Sequence, residues 1–436
     1  MREPLVILGG GLGGLSVATW LDGAVPVYEQ RPTPGGLCAQ ITVEGFRFDA
    51  VPHVLHFQEE ALRSWVNGLI GGSLQPYARQ ARVWTRDHVV RYPFQAHLHG
   101  LPTSVIDECL QSRRQARGAK ADRGASFDAW LTEAFGDGIA KHFLTPYNEK
   151  FWTVPLSELT CEWVDGMVPV PTYDETLRGA ATPDPTEYGY NATFWYPHRG
   201  GLGAILSALV ARVPHLRLGK RLLRLDTASR TLTFADGEMV PCETVVCGIP
   251  LPELRHVLHP LPQRIQDAFE ALRWTSLAVV HLGVRGEAPV DWDWVYVPDP
   301  EMACYRVGFP SRYAPDAAPS GTHLISAECS HPPGATVDVS ELTERVVQDL
   351  QRMGLLRSAQ DVVVRHPIAL RYGYVLYDQA YRQARTTLEE YLLEQGVHLV
   401  GRFGAWKYLS MEGTLIESQR VAKRLSRVVG HAPISA

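Results

Sequence analysis

The stretch that decides the fold is 5–36, which reads LVILGGGLGGLSVATWLDGAVPVYEQRPTPGG. It opens with an apolar run, 5–8, that meets a glycine-rich turn, and residues 15–21 then have the spacing of a helix. A second apolar run follows and ends at Glu29. The order strand, turn, helix and strand predicts a βαβ unit at the very start of the chain.

The turn matches the pattern Gly-x-Gly-x-x-Gly at Gly9, Gly11 and Gly14. The first glycine permits a tight turn, the second lets the backbone approach a pyrophosphate, and the third lets helix and strand pack closely. The helix N-terminus then faces the negative charge of the ligand. Glu29 stands 20 residues after Gly9, and its carboxylate can accept hydrogen bonds from ribose hydroxyls. This context predicts a dinucleotide site.

The residues after Glu29 favour FAD over NAD. Glu29, Arg31, Gly35 and Gly36 form the pattern Glu-x-Arg-x-x-x-Gly-Gly, which brings a second glycine turn to the same cofactor. The pattern resembles an extension common in the FAD-dependent amine oxidase and protoporphyrinogen oxidase superfamily. The cofactor-binding residues predicted from this region are Gly9, Gly11, Gly13, Gly14, Glu29, Gln30, Arg31, Gly35, Gly36 and Leu37.

Composition excludes several classes of protein. The 436 residues include 45% hydrophobic and 20% charged residues, which excludes disorder as the general state. A net charge of −5 gives no electrostatic reason to expect nucleic acid or an anionic membrane as partner. No run approaches the roughly 18 apolar residues of a membrane-spanning helix, and the start lacks signal-peptide features. Seven scattered cysteines without a Cys-x-x-Cys pattern predict a reduced, cytoplasmic protein without a metal site.

The predicted secondary structure differs between segments of the rest of the chain. Residues 58–75 and 126–165 have helical spacing, whereas 274–330 carries several alternating runs typical of strands. Near the end, a strand at 398–400, a glycine turn and a long helix at about 415–428 form a closing unit. This closing unit can join the sheet that the N-terminal βαβ unit begins.

These patterns predict an α/β fold: a Rossmann-type FAD-binding domain with an inserted helical domain and a mainly antiparallel β-sheet domain. Within the helical part, the stretch 169–189 is rich in Pro, Thr and Asp and is predicted to be a long surface loop. The predicted domains are 1–75, 190–250 and 396–436 for FAD, 100–188 for the helices, and 76–99 with 251–395 for the β-sheet that binds substrate.

Four further blocks occur in a fixed order: YPFQ at 92–95, PYNEKFW at 146–152, NATFWYP at 191–197 and GRFGAWKY at 401–408. At these residues the chain resembles UDP-galactopyranose mutases, more the eukaryotic branch than the common bacterial one. The resemblance covers nearly the whole chain in order.

The resemblance implies a reaction and its cofactor. Such enzymes interconvert the pyranose and furanose forms of a nucleotide-linked sugar. FAD must be reduced, and its N5 is the nucleophile at the anomeric carbon, although the reaction has no net redox change. NAD(P)H is the implied electron donor, the partner is a small nucleotide sugar, and a homo-oligomer is possible. The chemistry needs cations for the leaving diphosphate and a clamp for the base.

The resemblance also assigns residues. Arg306 matches a diphosphate-binding arginine, and a guanidinium suits that task because its donors are planar and bidentate. The implied catalytic residues are Arg306, His53, Tyr408 and Tyr374. The implied substrate-binding residues are Tyr92, Gln95, Asn148, Trp152, Asn191, Trp294, Tyr296 and Tyr313. His53, Gly401 and Arg402 match positions that contact the flavin.

One departure from the family pattern concerns the diphosphate. The family pairs two arginines on it, and the second position is held here by Met167. A thioether cannot donate a hydrogen bond to phosphate, and losing one charge-assisted contact costs about 1.5–3 kcal/mol. His198, Arg199 or Arg312 are candidates to replace it.

Two further departures concern the flavin. Two family glycines before the histidine are Val51 and Pro52 here, and proline fixes φ and removes a donor, so redox-linked movement of this loop is predicted to be damped. A polar turn after Tyr408 is replaced by residues 410–413, SMEG. Two alternatives therefore stay open: an FAD-dependent oxidase or dehydrogenase of an amine or sugar, and a non-catalytic flavin-binding or nucleotide-sugar-binding protein.

Overall fold

A computed structural model describes residues 3–122, 124–164 and 166–429, and no helix within these ranges is long and apolar enough to cross a lipid bilayer. The strands are β1 Glu3–Leu8, β2 Val27–Tyr28, β3 Gln40–Val43, β4 Phe46–Asp49, β5 Leu74–Ala78, β6 Ala81–Thr85, β7 His88–Arg91, β8 Thr193–Pro197, β9 Leu216–Arg217, β10 Leu222–Asp226, β11 Thr231–Phe234, β12 Met239–Cys247, β13 Leu258–His259, β14 Trp274–Arg285, β15 Trp294–Tyr296, β16 Arg306–Gly308, β17 Thr322–His331, β18 Val362–Val375 and β19 Val397–Leu399. The helices are α1 Leu12–Trp20, α2 Glu60–Leu69, α3 Thr103–Gln115, α4 Phe127–Phe135, α5 Asp137–Ile139, α6 Thr145–Trp152, α7 Tyr173–Ala181, α8 Gly201–Val210, α9 Leu251–Leu254, α10 Gln263–Glu270, α11 Val339–Arg352, α12 Tyr381–Glu394 and α13 Met411–Val429.

The predicted βαβ unit is the centre of the first sheet. Strand β1 pairs in parallel with β2 on one side and with β12 on the other, and α1 connects β1 to β2. Residues 5–8 are buried because both faces of the parallel part of this sheet are covered. Strand β19 also pairs in parallel with β12, and Ser418 of α13 donates a hydrogen bond to the carbonyl of Gly13, 3.1 Å away. The closing unit therefore joins the N-terminal sheet.

The second sheet has seven strands in the order β18-β14-β17-β16-β15-β6-β7. Its pairs are antiparallel except for the parallel pair of β6 and β15. Helix α11 covers one face, and its first turn is capped by Asp338, whose carboxylate accepts hydrogen bonds from two backbone N–H groups. The prediction of a mainly antiparallel sheet beside a Rossmann-type domain is confirmed.

Helices α3 to α7 form the insertion between β7 and β8, so the predicted helical domain is also confirmed as part of the fold. The prediction of a loop throughout 169–189 is wrong, because α7 occupies Tyr173–Ala181. Thr172 and Glu175 form a reciprocal capping box that starts this helix, a Thr-x-x-Glu signal visible in the sequence. Gly179 then allows close packing, because a Cβ there would lie 1.8 Å from the carbonyl oxygen of Ala96.

The domain ranges stay a prediction, and the strand pairing differs from them at one place. Strand β13 lies within 251–395, the range assigned to the antiparallel sheet, yet it pairs with β10 in the first sheet. Helix α12 also lies within that range and packs against β19. The range 251–395 therefore contributes to both sheets, because the chain crosses between them before β14 and again after β18.

Gly14 gives a direct test of the glycine turn. A Cβ at Gly14 would lie 2.0 Å from the carbonyl oxygen of Gly9 and 3.2 Å from a methyl group of Ile7. We predict that Gly14→Ala lowers the free energy of unfolding by about 1–3 kcal/mol, since the backbone has to shift. Gly68→Ala is the matched control, because a Cβ there meets nothing within 4 Å. Thermal denaturation measures both, and equal melting temperatures would contradict the packing argument.

Candidate active site

A cavity of about 1100 Å³ runs from the glycine turn of the first sheet to an aromatic wall between the second sheet and the helical insertion. Its wall carries every predicted cofactor-binding residue, and the glycines among them mark what we call the N-terminal end of the cavity; the roles of these residues stay predictions. These residues are Gly9, Gly11, Gly13, Gly14, Glu29, Gln30, Arg31, Gly35, Gly36, Leu37, His53, Gly401 and Arg402.

Three glycine turns meet at this end of the cavity. The N–H of Gly35 donates to the carbonyl of Gly10 at 2.7 Å, and Gly11 forms an isolated bridge with Gly35. A Cβ on Gly13 would lie 3.1 Å from the Cα of Gly401, so the third turn also touches the first. The N-terminus of α1 is left open to the cavity, where its N–H groups favour negative charge.

Glu29 is held in place by two backbone N–H groups. Its Oε2 accepts from Gly10 at 2.7 Å, and its Oε1 accepts from Arg31 at 2.8 Å. Each carboxylate oxygen has a second lone pair, so both can still accept a hydrogen bond from a ribose hydroxyl. The buried carboxylate has the position that the dinucleotide prediction requires.

All but one of the predicted catalytic and substrate-binding residues lie at the far end of the cavity. Those on the wall are Arg306, His53, Tyr374, Tyr408, Tyr92, Gln95, Asn148, Asn191, Trp294, Tyr296 and Tyr313. They come from β15, β16, β18, α6 and five connecting segments, so only the tertiary structure brings them together. Their roles stay predictions.

Trp152 is the exception, and its assignment to the substrate pocket is corrected. It is 1% exposed and its ring lies 4.9 Å from Trp163, behind the cavity wall. Residues Leu144, Tyr147, Asn148 and Phe151 line the cavity and share one helical face. At about 100° per residue, Trp152 lies about 90° from the centre of that face, so its indole points into the core. The same spacing could have identified Tyr147 and Phe151, which sequence reasoning missed.

Arg306 is fixed by a buried carboxylate. Its Nε and Nη2 donate to the two carboxylate oxygens of Glu328 at 2.6 and 2.8 Å, which leaves Nη1 as the donor group for a ligand. Glu328 is completely buried and also accepts from the hydroxyl of Tyr305 at 2.8 Å. Arg306 and Glu328 are direct cross-strand neighbours on β16 and β17. Sequence reasoning missed Glu328, because the pair depends on strand register.

Aromatic residues surround the Arg306 end. Tyr305 and Tyr374 hydroxyl oxygens are 2.9 Å apart, and the Tyr374 and Tyr408 rings stack at 6.0 Å. The guanidinium of Arg402 lies 4.5 Å from the Tyr408 ring centroid and 5.2 Å from that of Tyr374. Burial raises the pKa of Tyr374 above its usual range, so its hydroxyl stays protonated, and because the Tyr305 proton goes to Glu328, the Tyr374 hydroxyl donates to the Tyr305 oxygen.

Gln95 presents a fixed acceptor. Its Nε2 donates to the carbonyl of Pro169 at 2.9 Å, and a carbonyl can only accept, so this contact fixes the orientation of the amide. The Oε1 of Gln95 is buried and has no hydrogen-bond partner among the described residues. Since Gln95 lines the cavity, this oxygen is available to an N–H group of a ligand.

His53 is neutral at physiological pH. Burial, and after it the positive charge of Arg402, lower the pKa of His53 to about 4. Its Nδ1 lies 2.8 Å from the carbonyl oxygen of Val51, so this nitrogen carries the proton and donates. The Nε2 of His53 is then an acceptor on the cavity side of the loop.

The loop that carries Val51 and Pro52 is anchored before them by the N–H of Ala50, which donates to the carbonyl of Ala39 at 2.8 Å, and after them by two further sets of contacts. Leu55 exchanges two backbone hydrogen bonds with Trp195, at 3.0 and 2.7 Å. Farther along the loop, the backbone N–H groups of residues 58 and 59 donate to the Oε1 of buried Glu412, in the first turn of α13, at 2.7 and 2.9 Å. These contacts support the prediction that backbone movement here is damped.

Two further residues bear on the charge of the far end. Met167 lines the cavity, whereas the proposed substitutes His198, Arg199 and Arg312 do not, so that hypothesis is not supported. Asp293 is another cavity residue that sequence reasoning missed, and burial raises its pKa to about 6.

Comparison with known proteins assigns this chain to a family. The sequence profile of the flavin containing amine oxidoreductase family matches residues 12–426. A crystal structure of reduced UDP-galactopyranose mutase is 26% identical, with a TM-score of 0.91 and 100% of both chains covered. A putative protoporphyrinogen oxidase from Exiguobacterium sp. 255-15 is 17% identical, with a TM-score of 0.74 over 98% of this chain and 99% of that one.

A curated relative is a zeta-carotene-forming phytoene desaturase from Myxococcus xanthus, 24% identical over 338 residues. That match spans 65% of this chain and 61% of the relative's length. The chain belongs to the flavin containing amine oxidoreductase family. Within that superfamily it is similar to UDP-galactopyranose mutase along its whole length.

The residues at the N-terminal end of the cavity fit FAD, the cofactor that this family and fold support. Gly11, Gly13 and Gly36 provide a cradle that lacks Cβ atoms, next to the open N-terminus of α1. Glu29 offers two acceptors for ribose hydroxyls. His53 and Arg402 lie farther along the same wall, where the flavin ring is expected.

The Arg306–Glu328 pair generates a stability prediction. Glu328→Gln leaves the Arg306 charge without its carboxylate, and breaking a buried ion pair costs about 3–5 kcal/mol. Glu301→Gln is the control, since Glu301 is 76% exposed and its partner Arg352 is also at the surface, so little change is expected. Denaturant unfolding measures both variants. A Glu328→Gln protein as stable as the control would show that the pair does not stabilise the fold.

Proposed function

We propose that the protein is a flavin-dependent mutase that interconverts the pyranose and furanose forms of a nucleotide-diphosphate sugar. The observation that carries the proposal is the full-length similarity to UDP-galactopyranose mutase, at 26% identity and a TM-score of 0.91. The cavity supports it, because one end fits FAD and the other combines an arginine, several tyrosine hydroxyls and a fixed amide.

Reduced FAD, when bound, supplies the nucleophile for the anomeric carbon. The chain's own residues then bind and stabilise the leaving diphosphate. Nη1 of Arg306 and the hydroxyls of Tyr313 and Tyr408 can donate to its oxygens, and charge-assisted donors stabilise the negative charge that develops as the bond breaks. Tyr374 donates its single proton to Tyr305, so it contributes its ring to this end of the cavity and not a donor. Glu328 holds the guanidinium in one orientation, so little reorganisation is needed during the reaction.

Other residues hold the base and exclude water. The Oε1 of Gln95 accepts an N–H of the base, and the rings of Tyr92 and Tyr296, 4.6 Å apart, offer an aromatic surface beside it. Closed aromatic walls strengthen electrostatic interactions inside the cavity, because water is removed from around them. NAD(P)H is the proposed electron donor. Cytoplasmic location and a homo-oligomer stay predictions from the sequence.

A second candidate is an FAD-dependent oxidase or dehydrogenase. Met167 favours it, because this position on the cavity wall offers no cation for a second charge of the diphosphate. The fold similarity to a putative protoporphyrinogen oxidase leaves this chemistry open. The non-catalytic alternative requires that neither reaction occurs.

The mutase proposal has a direct test. The dithionite-reduced holoprotein is incubated with a panel of nucleotide sugars, and the ring isomers are separated by chromatography. We expect a product of unchanged mass and no net oxygen use, with oxidised protein as the inactive control. Catalytic oxygen consumption without isomerisation would establish the oxidase candidate. No turnover and no reduction of the flavin by NAD(P)H would support the non-catalytic one.

Arg306 gives a second test at the level of binding. We expect Arg306→Ala to weaken UDP binding by roughly tenfold to a hundredfold, since a charge-assisted hydrogen bond contributes about 1.5–3 kcal/mol. Titration followed by flavin absorbance measures the dissociation constant. The double variant Arg306→Ala with Glu328→Gln removes the carboxylate that would repel the ligand. Near-normal UDP affinity in the double variant would remove Arg306 from the diphosphate site, and Arg312→Ala is the control away from the cavity.

A further inference from the structure

A buried arginine lies outside the cavity wall and has no role in the function proposed above. Arg79 stands between β5 and β6, and its side chain is 0% exposed. Its backbone N–H donates to the carbonyl of Ala192 at 3.0 Å. It is therefore fixed next to residues 182–192, the segment that connects α7 to β8 and includes the cavity residue Asn191.

The guanidinium of Arg79 reaches four groups. Nη2 donates to the Oε2 of Glu187 at 2.8 Å and to the carbonyl of Tyr188 at 3.0 Å. Nη1 donates to the Oδ1 of Asn191. The guanidinium carbon also lies 4.9 Å from the ring centroid of Tyr92. Two of these neighbours, Asn191 and Tyr92, line the far end of the cavity.

The contact with Asn191 decides which way its amide faces. An arginine can only donate, so the oxygen of the Asn191 amide has to point toward Arg79. The amide nitrogen, with its two N–H donors, then points to the other side, where Asn191 lines the cavity. Without Arg79 the amide could rotate and present its oxygen, which would repel a phosphate oxygen.

The cluster behind this wall also carries a positive charge. Glu187 is the shared carboxylate partner of Arg79 and of Arg91, so the three side chains together bear one net positive charge. The position held by Met167 supplies none. A buried charge close to the wall acts on a ligand with little screening by solvent.

We propose that Arg79 is a positioning residue for the diphosphate: it directs the Nδ2 donors of Asn191 into the cavity and provides positive potential that Met167 cannot. This inference rests on the proposed function, because it assumes an anionic group at this end of the cavity. In this proposal Arg79 acts on the ligand without touching it, and it supplies positive charge in addition to that of Arg306.

The test compares UDP with uridine as probes of the oxidised, FAD-loaded protein. Arg79→Met should weaken UDP binding by about tenfold, the size of one charge-assisted contact, and change uridine binding by less than about threefold. Arg79→Lys keeps a donor and a charge, so it should restore part of the UDP affinity. Arg91→Met is the control for the contact with Asn191: it removes one positive charge from the same cluster but leaves the Arg79–Asn191 hydrogen bond, so it should weaken UDP binding by less than Arg79→Met does.

A double-mutant cycle tests whether Arg79 affects UDP binding through Asn191. Adding Arg79→Met to Asn191→Ala should weaken UDP binding by much less than Arg79→Met does alone, since the amide is already absent. Flavin content and melting temperature check that each variant is folded. If Arg79→Met does not fold, Asn191→Ala and Arg79→Lys replace it: both should weaken UDP binding, Arg79→Lys less than Asn191→Ala, and both should change uridine binding by less than about threefold.

Several results would overturn the inference. Unchanged UDP affinity in Arg79→Met is one, and equal losses for Arg79→Met and Arg91→Met are another, since they would show that the orientation of Asn191 makes no contribution. Equal losses for UDP and uridine would also reject a role toward the diphosphate. Failure of the unmodified protein to bind UDP is a different result, because it overturns the proposed function and the inference with it.

Discussion

The structure depends on the close approach of three glycine turns at the N-terminus of α1. Gly13 and Gly401 are 388 residues apart in the chain, yet a Cβ on the first would lie 3.1 Å from the Cα of the second. The turn at Gly35 is joined to the same place by a hydrogen bond to Gly10. Because this contact is made by backbone alone, it leaves an open cradle of N–H groups, and the cofactor end of the cavity follows from it.

At the other end of the cavity, one buried ion pair sets the electrostatics. Glu328 neutralises Arg306 and orients it, so the cavity gains a directed donor with little net charge. That arrangement suits an anionic ligand whose negative charge is also stabilised by other hydrogen-bond donors. The tyrosine hydroxyls and the Asn191 amide, backed by Arg79, are the neighbouring groups able to share it.

Local patterns predicted well what depends on local contacts. The βαβ unit and the glycine turn were readable because strand, turn and helix periods appear within 32 residues. The loop prediction for 169–189 is wrong because the capping box of Thr172 and Glu175 starts a helix inside a segment whose composition is otherwise typical of loops. Trp152 was misplaced because resemblance to a motif does not say which face of a helix a side chain occupies.

The sequence by itself determined the class of fold and the glycine-rich cofactor motif, because glycine spacing and apolar periodicity act over short distances along the chain. The candidate residues of the far end followed from the resemblance to a known family. Only the tertiary structure decided the partners of the charged groups. Glu328 meets Arg306 through strand register, and Arg79 meets Asn191 across 112 residues. Such pairs form because burial makes an unpaired charge costly, and which charges become neighbours is a property of the folded chain alone.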